Sequence, residues 1–269
     1  MNILEEIADR TRKRIDRQRQ EISVQMLLRA IGHRKSGGNH TSGGVDFRKA
    51  LRRDGMAYIC EVKKASPSRG LIAADFPYLN IALAYEAAGA AAISCLTEPF
   101  YFLGADSYLE EIADSVNIPV LRKDFTVDEY MIYQAGAMGA SAVLLICAIL
   151  DDDQLRDYRA LSAELGMEAL LEVHDEAEVD RALKAGARIV GVNNRDLRTF
   201  QVNTENSVML RKLVPADIIF VSESGIETAQ DIRRLRENQV DAVLIGETLM
   251  RSADKKAMLE LLNGGPLKG

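Results

Sequence analysis

The chain has 269 residues, a formal net charge of −6 and 47% hydrophobic content. That is enough apolar material for one large core, and the charge sign disfavours a nucleic-acid or acidic-membrane partner, because phosphate backbones reward a surplus of Lys and Arg. No apolar run reaches the roughly 18 residues of a membrane span, and the opening MNILEEIADRTRKR is too charged for a signal peptide, so a cytoplasmic protein handling small molecules is expected.

Leu4, Ile7, Thr11, Ile15, Gln18 and Ile22 recur at helical spacing among charged residues, which predicts a first helix with one buried stripe. Its basic cluster, Arg10 to Arg19, is interleaved with acids and reads as a solvated face. KSGGNHTSGG, residues 35–44, has the composition of a mobile loop. Residues 1–44 are therefore expected to form a helical extension to a single domain spanning 1–269.

MAYICEVK then predicts a strand, on which Glu61 and Lys63 share one face while Cys60 and Val62 share the other. Beyond it a signature recurs, a helical stretch ending in Gly-Ala with an apolar strand directly after: AGAAAIS at Ala88, MGASAVLLI at Met138, AGARIVGV at Ala185 and, more weakly, VDAVLIG at Val240. IPVLRKD, MEALLEV and DIIFVSES fill the intervals and bring the count to eight strands. Eight strands alternating with helices make a parallel sheet, and eight is the number that closes a (β/α)8 TIM barrel of the α/β class. An open sheet would bind its ligand at a switch point in strand order, but both architectures work at strand ends.

Those ends are polar. The first carries Glu61 and Lys63, the third Lys123 and Asp124, the fifth Glu172 and His174, the sixth Asn193 and Arg195, the seventh Glu223 and Ser224. Five such ends predict a shared site at one mouth. Gly225 in SESGI and Gly246 in IGETLM are expected to offer backbone N–H groups at helix starts to a phosphate, with the Glu247 side chain turned away. Phe102 and Phe125 can form an aromatic wall. Cys60, Cys95 and Cys147 lack CxxC spacing and read as buried thiols. His33, His40 and His174 show no metal-ligand spacing, and neither GxGxxG nor GxxxxGK[ST] occurs, so no metal and no cofactor are expected. The site reads as one for a phosphorylated, anionic, partly aromatic substrate undergoing acid–base chemistry.

EVKKASPS, LTEP, LRKDF, LLEVH, GVNNRDL, SESGI and IGETLM, in this order and spacing, resemble indole-3-glycerol phosphate synthases over residues 45–262, and the first helix resembles that family's extra helix before strand one. Residues 35–44 depart from the family's proline- and arginine-containing segment. The resemblance implies a cofactor-free carboxy-lyase of tryptophan biosynthesis that closes the ring of 1-(2-carboxyphenylamino)-1-deoxyribulose 5-phosphate with loss of carbon dioxide and water. It further implies Lys123 as general acid at the ketone, Glu172 for the proton removed afterwards, and Glu61 with Lys63 for dehydration and for the substrate carboxylate. Asn193 and Arg195 would hold hydroxyl and carboxylate groups, Ser224 would support the site, and Glu223 would be among the substrate-binding residues. Ser66, Gly225, Gly246 and Glu247 would bind phosphate, and Phe102, Phe125 and Leu144 would line the anthranilate pocket. A monomer or weak homo-oligomer is expected. The rival readings are another phosphate-binding barrel, such as phosphoribosylanthranilate isomerase or a Schiff-base aldolase, and a noncatalytic binder of anthranilate-like phosphates.

Overall fold

The computed structural model describes residues 3–36, 46–196 and 199–265. Eight strands, β1 (Ala57–Val62), β2 (Ala92–Leu96), β3 (Val120–Lys123), β4 (Ala142–Ile146), β5 (Glu168–Val173), β6 (Ile189–Asn193), β7 (Ile219–Glu223) and β8 (Ala242–Ile245), run parallel, each beside its sequence neighbour. The sheet closes where β1 pairs with β8, Ala57 opposite Ala242, so the barrel and not the open sheet is formed.

Outside the barrel lie α4 (Tyr78–Ala87), α5 (Asp106–Ser115), α6 (Glu129–Ala137), α7 (Asp152–Glu164), α8 (Glu176–Lys184), α9 (Glu205–Arg211), α10 (Ala229–Glu237), α11 (Glu247–Arg251) and α12 (Lys255–Leu262). The Gly-Ala signature does what its chemistry requires: Gly89, Gly139 and Gly186 follow α4, α6 and α8 with φ of +92°, +85° and +79°, a left-handed cap that side-chain-bearing residues resist. Alternation then sorts the strands. In β1, Tyr58, Cys60 and Val62 pack outward under the helices, while Ala57 and Ile59 point inward among Leu121, Leu144, Leu170 and Ile189. Cys60, Cys95 and Cys147 are buried and free.

Before the barrel come α1 (Ile3–Glu21), α2 (Val24–Ser36) and α3 (Phe47–Leu51). Leu4, Ile7, Thr11 and Ile15 are buried along α1 as the spacing predicts, but Ile22 lies past the helix end and is 41% exposed. The second helix is a difference from the sequence reading, and Lys35 and Ser36 close it instead of opening a loop. The remainder of that expected loop, and His40, lie outside the described residues. α1 and α2 dock on α6: the Tyr130 hydroxyl donates to the Ile22 carbonyl at 2.7 Å, and Arg34 Nε to the Ala137 carbonyl at 2.6 Å. α3 covers the opposite end, with Phe47 and Leu51 in the barrel-interior cluster and Arg52 donating to the Asp217 carbonyl ahead of β7.

A buried ionic chain fastens α1 to the strand ends. Arg14 donates to Asp124 Oδ2 at 2.8 Å, Thr97 Oγ1 donates to the same oxygen at 2.6 Å, and Arg122 reaches Asp106 at 2.9 Å. Burial alone would raise the Asp124 pKa, but Arg14 and Arg122 hold it below the usual carboxylate range. A depressed folded-state pKa contributes stability above the unfolded value of about 4 and loses it as pH falls through the folded one. Asp124→Asn should therefore lower the urea midpoint at pH 7 by the equivalent of about 3–5 kcal/mol, and the gap from the parent should shrink on acidification to pH 3. An equal gap at both pH values would show that the charge pair contributes nothing.

Candidate active site

β1 turns Glu61 inward, and the ammonium of Lys63, just past the strand end, donates to Glu61 Oε1. β3 delivers Lys123, whose Nζ stands 2.6 Å from Glu223 Oε2 at the end of β7 and 2.9 Å from Glu172 Oε2 on β5. Asn193, ending β6, donates to the other Glu172 oxygen at 3.4 Å. A strand end is the place where an inward side chain leaves the apolar interior layers and meets the mouth, so five strand ends assemble one charged floor.

One lysine between two buried carboxylates cannot neutralise both equally. Burial alone would lower the Lys123 pKa, yet Glu172, Glu223 and Glu61 together raise it. Burial would likewise raise Glu172, but Lys123 and then His174 hold it down. Glu223 takes the remainder: burial, with Glu172 and Glu61 adding to it against Lys123, pushes it up to about 7. Glu172 is thus the fixed anion, and Glu223 exchanges a proton near neutrality.

The floor opens into a cavity of about 570 Å³, a size suited to one small molecule. All fifteen site residues named from the sequence line it. Phe102 and Phe125 stand 6.2 Å apart between ring centroids, tilted by 43°, and Leu144 lies on the same wall. Arg195 donates to the Phe200 carbonyl at 3.2 Å, and its pKa is lowered, first by burial and then by the positive charge of Arg69. Two guanidinium groups that repel each other across a pocket are relieved by an anion between them. His174 does not line the cavity; its ring turns to Glu178.

One expectation about the rim is corrected. Gly225 does not begin a helix: α10 starts at Ala229, and Thr228 with Asp231 caps it. Gly225 instead holds φ +79° directly after Ser224 at φ +69°, and a Cβ there would collide with Val202. The strained turn is fixed by Asn194, which donates to the Ser224 carbonyl at 3.1 Å and to Ser222 Oγ at 2.9 Å. Beside it lies a short hairpin, Ala65–Ser66 against Gly70–Leu71, tied down by Arg69 Nε donating to Glu247 Oε2 at 3.1 Å. Glu247 also pairs with Arg251 at 3.1 Å, so both of its carboxylate oxygens have cationic partners.

Gly246 does cap a helix, the short α11, but its lack of a side chain serves another purpose. A Cβ there would collide with Glu61 Oε1 and sit 2.8 Å from Lys63 Nζ. Gly246→Ala should therefore lower kcat, on the order of 10²-fold for a misplacement near 1 Å, besides raising KM. Steady-state kinetics decide it: a rise in KM with kcat untouched would leave Gly246 a phosphate contact only.

Several residues that shape the site carry no local sequence signal for that role. Ile3, Leu4 and Ile7 of α1 form part of the cavity wall. Glu98, wholly buried, accepts the backbone N–H groups of Phe100, Tyr101 and Phe102 at 2.9, 2.7 and 3.0 Å and so aims Phe102. Gly191 in β6 leaves the space that Glu223 Oε1 fills.

The model of the family described as indole-3-glycerol phosphate synthase matches residues 4–262. The chain is 53% identical over 262 residues to the indole-3-glycerol phosphate synthase of Ruminiclostridium cellulolyticum, covering 97% of this chain and 99% of that one. It is 47% identical over 266 residues to the enzyme of the same name from Lachnoclostridium phytofermentans, covering 97% and 98%. Among solved structures, 3-hexulose-6-phosphate synthase from Salmonella typhimurium superposes with a TM-score of 0.64 at 14% identity, over 78% of this chain and 97% of that one, a likeness of fold alone.

Proposed function

We infer the task of each group at the mouth from one premise: the chain belongs to the indole-3-glycerol phosphate synthase family and is an enzyme, a carboxy-lyase of tryptophan biosynthesis. The family's reaction joins a ring carbon of 1-(2-carboxyphenylamino)-1-deoxyribulose 5-phosphate to its ketone carbon and expels carbon dioxide and water.

The observation that carries the assignment of roles is the Lys123 ammonium, held between Glu172 and Glu223 in the same cavity as the Phe102, Phe125 and Leu144 wall. The anthranilate ring packs against that wall. The ketone oxygen meets Lys123, which donates a proton as the carbon–carbon bond forms and negative charge develops there. Carbon dioxide leaves and its bonding pair restores the aromatic ring. Glu172, kept ionised, then receives the proton lost from the methylene carbon, while Lys63 with Glu61 assists departure of the hydroxyl and faces the substrate carboxylate. Glu223 positions Lys123, and Asn193 holds Glu172 and a substrate hydroxyl. The phosphate lies against Ser66 and the backbone N–H groups of Gly225, Gly246 and Glu247, with Arg195 completing the anion site. The working form is a cytoplasmic monomer or weak homo-oligomer built on one barrel domain; among the described residues no helix is long and apolar enough to cross a membrane.

The test is turnover of that substrate followed by indole fluorescence, for which the chain offers a dark background because it contains no tryptophan. Folded protein that yields no indole product would overturn the reading.

A further inference from the structure

Proton accounting, resting on the function proposed above, exposes a deficit. The ketone oxygen leaves as water with two added protons, the methylene carbon returns one, and the carboxylate departs as neutral carbon dioxide with none. One proton per turnover must therefore come from solvent. Yet Glu172 and Lys123, the groups that handle protons, have side chains only 3% and 13% exposed, and a bound substrate covers them further.

His174 stands behind this pair. Its Nε2 is buried with no hydrogen-bond partner and faces Glu172 Oε1 at 3.6 Å. Its Nδ1 lies 3.0 Å from Glu178 Oε2, an oxygen that also accepts the His174 backbone N–H at 2.8 Å, and Asn206 of α9 donates to the His174 carbonyl at 3.0 Å. The ring is thus fixed by α8 and α9 with one nitrogen aimed at the catalytic carboxylate. A buried nitrogen left without a partner is unfavourable, a cost with a purpose if that nitrogen exchanges a proton.

We propose that His174, clamped by Glu178, is a proton store that reloads Lys123 through the Glu172 carboxyl while substrate covers the mouth. The Nε2–H bond breaks and a Glu172 O–H bond forms. The carboxyl passes a proton to the amine that Lys123 has become, and Glu172 is ionised again for the methylene proton. After product leaves, Glu172 passes the methylene proton to the imidazole, and water in the emptied cavity returns the proton that Lys63 gave to the departing hydroxyl, so one solvent proton is taken up per turnover. No oxidant, metal or further reactant takes part. The acids facing the ring are Glu172 from β5, Glu178 from α8 and Glu223 from β7; burial would lower the imidazole pKa, but these carboxylates raise it above its ordinary value, which favours the loaded, charged form of the store. His174 acts through Glu172 and is a positioning residue in that sense.

The test compares kcat against pH for the full chain, His174→Gln and Glu178→Gln with the carboxyphenylamino-deoxyribulose phosphate. His174→Gln should lose about tenfold or more in kcat with KM within about twofold, and should lose the alkaline limb that imidazole titration gives the parent. Glu178→Gln keeps the ring but removes one carboxylate, so its alkaline limb should move about one unit toward acid, with parental kcat recovered at low pH. A purely structural role for His174 predicts neither shift nor recovery. Profiles that superimpose on the parent's would overturn the store, and if His174→Gln does not fold, the Glu178→Gln profile alone decides. Absence of turnover in the parent would instead overturn the proposed function.

Discussion

Lys123→Ala is expected to lose kcat by at least about 10²–10⁴-fold, the range a positioned general acid contributes, while the anion site keeps KM within about tenfold. The structure sharpens the reason. The ammonium bridges Glu172 and Glu223, at 2.9 and 2.6 Å, so its loss removes the proton donor and leaves two buried carboxylates facing each other. They respond by protonation, and Glu223, already pushed up to about 7, is the first to do so. The variant should accordingly bind a proton on folding near neutral pH and be less stable at pH 8 than at pH 6. Lys123→Arg should not restore activity, because guanidinium holds its proton too tightly to donate it and occupies a different volume. Near-normal kcat in Lys123→Ala, or recovery in Lys123→Arg, would transfer the role to Lys63.

Gly191→Ala should be nearly as damaging although position 191 bears no side chain. A methyl group there would overlap Glu223 Oε1 and come within 2.7 Å of Leu170 Cδ2. The strand is locked on both sides, Gly191 being registered against Glu172 on β5 and Val221 on β7, so the side chains must yield. Overpacking of this kind costs about 1–3 kcal/mol, and displacing Glu223 unseats Lys123, with a kcat loss on the order of 10². Placing Glu223→Ala in the same chain empties the contested space. The double variant should then recover much of the lost stability and none of the activity, a non-additivity readable from urea midpoints. Strictly additive destabilisation would show that the two positions do not contact.

The barrel and its charged floor were legible in the sequence because both rest on local rules. Glycine after a helix marks each passage into a strand, and an apolar run ending in Lys123, Glu172 or Glu223 announces where an inward side chain reaches the mouth. What escaped depends on distance. Nothing near Gly191 in AGARIVGV says that a glutamate thirty-two residues later needs its volume. Arg14 looked solvated among its charged neighbours, since Asp124, its partner, is supplied by a distant strand end. The helix over Val24–Ser36 is illegible by pattern because its apolar face is short and its last turn runs into the Gly/Ser segment. Glu98 stood inside the motif LTEP, but three backbone N–H groups converging on one carboxylate depend on how residues 99–102 fold back.

The seam between β1 and β8 joins the two ends of the barrel sequence, Ala57 to Ala242, and Gly246 beside that seam is where Glu61 and Lys63 find their room. Assembly order follows from this. During synthesis the first strand emerges with its charged pair long before its neighbour exists, and pairing so remote in sequence is among the slowest steps a chain undertakes. Until then β1 has an open edge on which another nascent chain can pair. Chemical competence therefore arrives last, at closure, and the return of indole fluorescence on refolding is a clock for that single event.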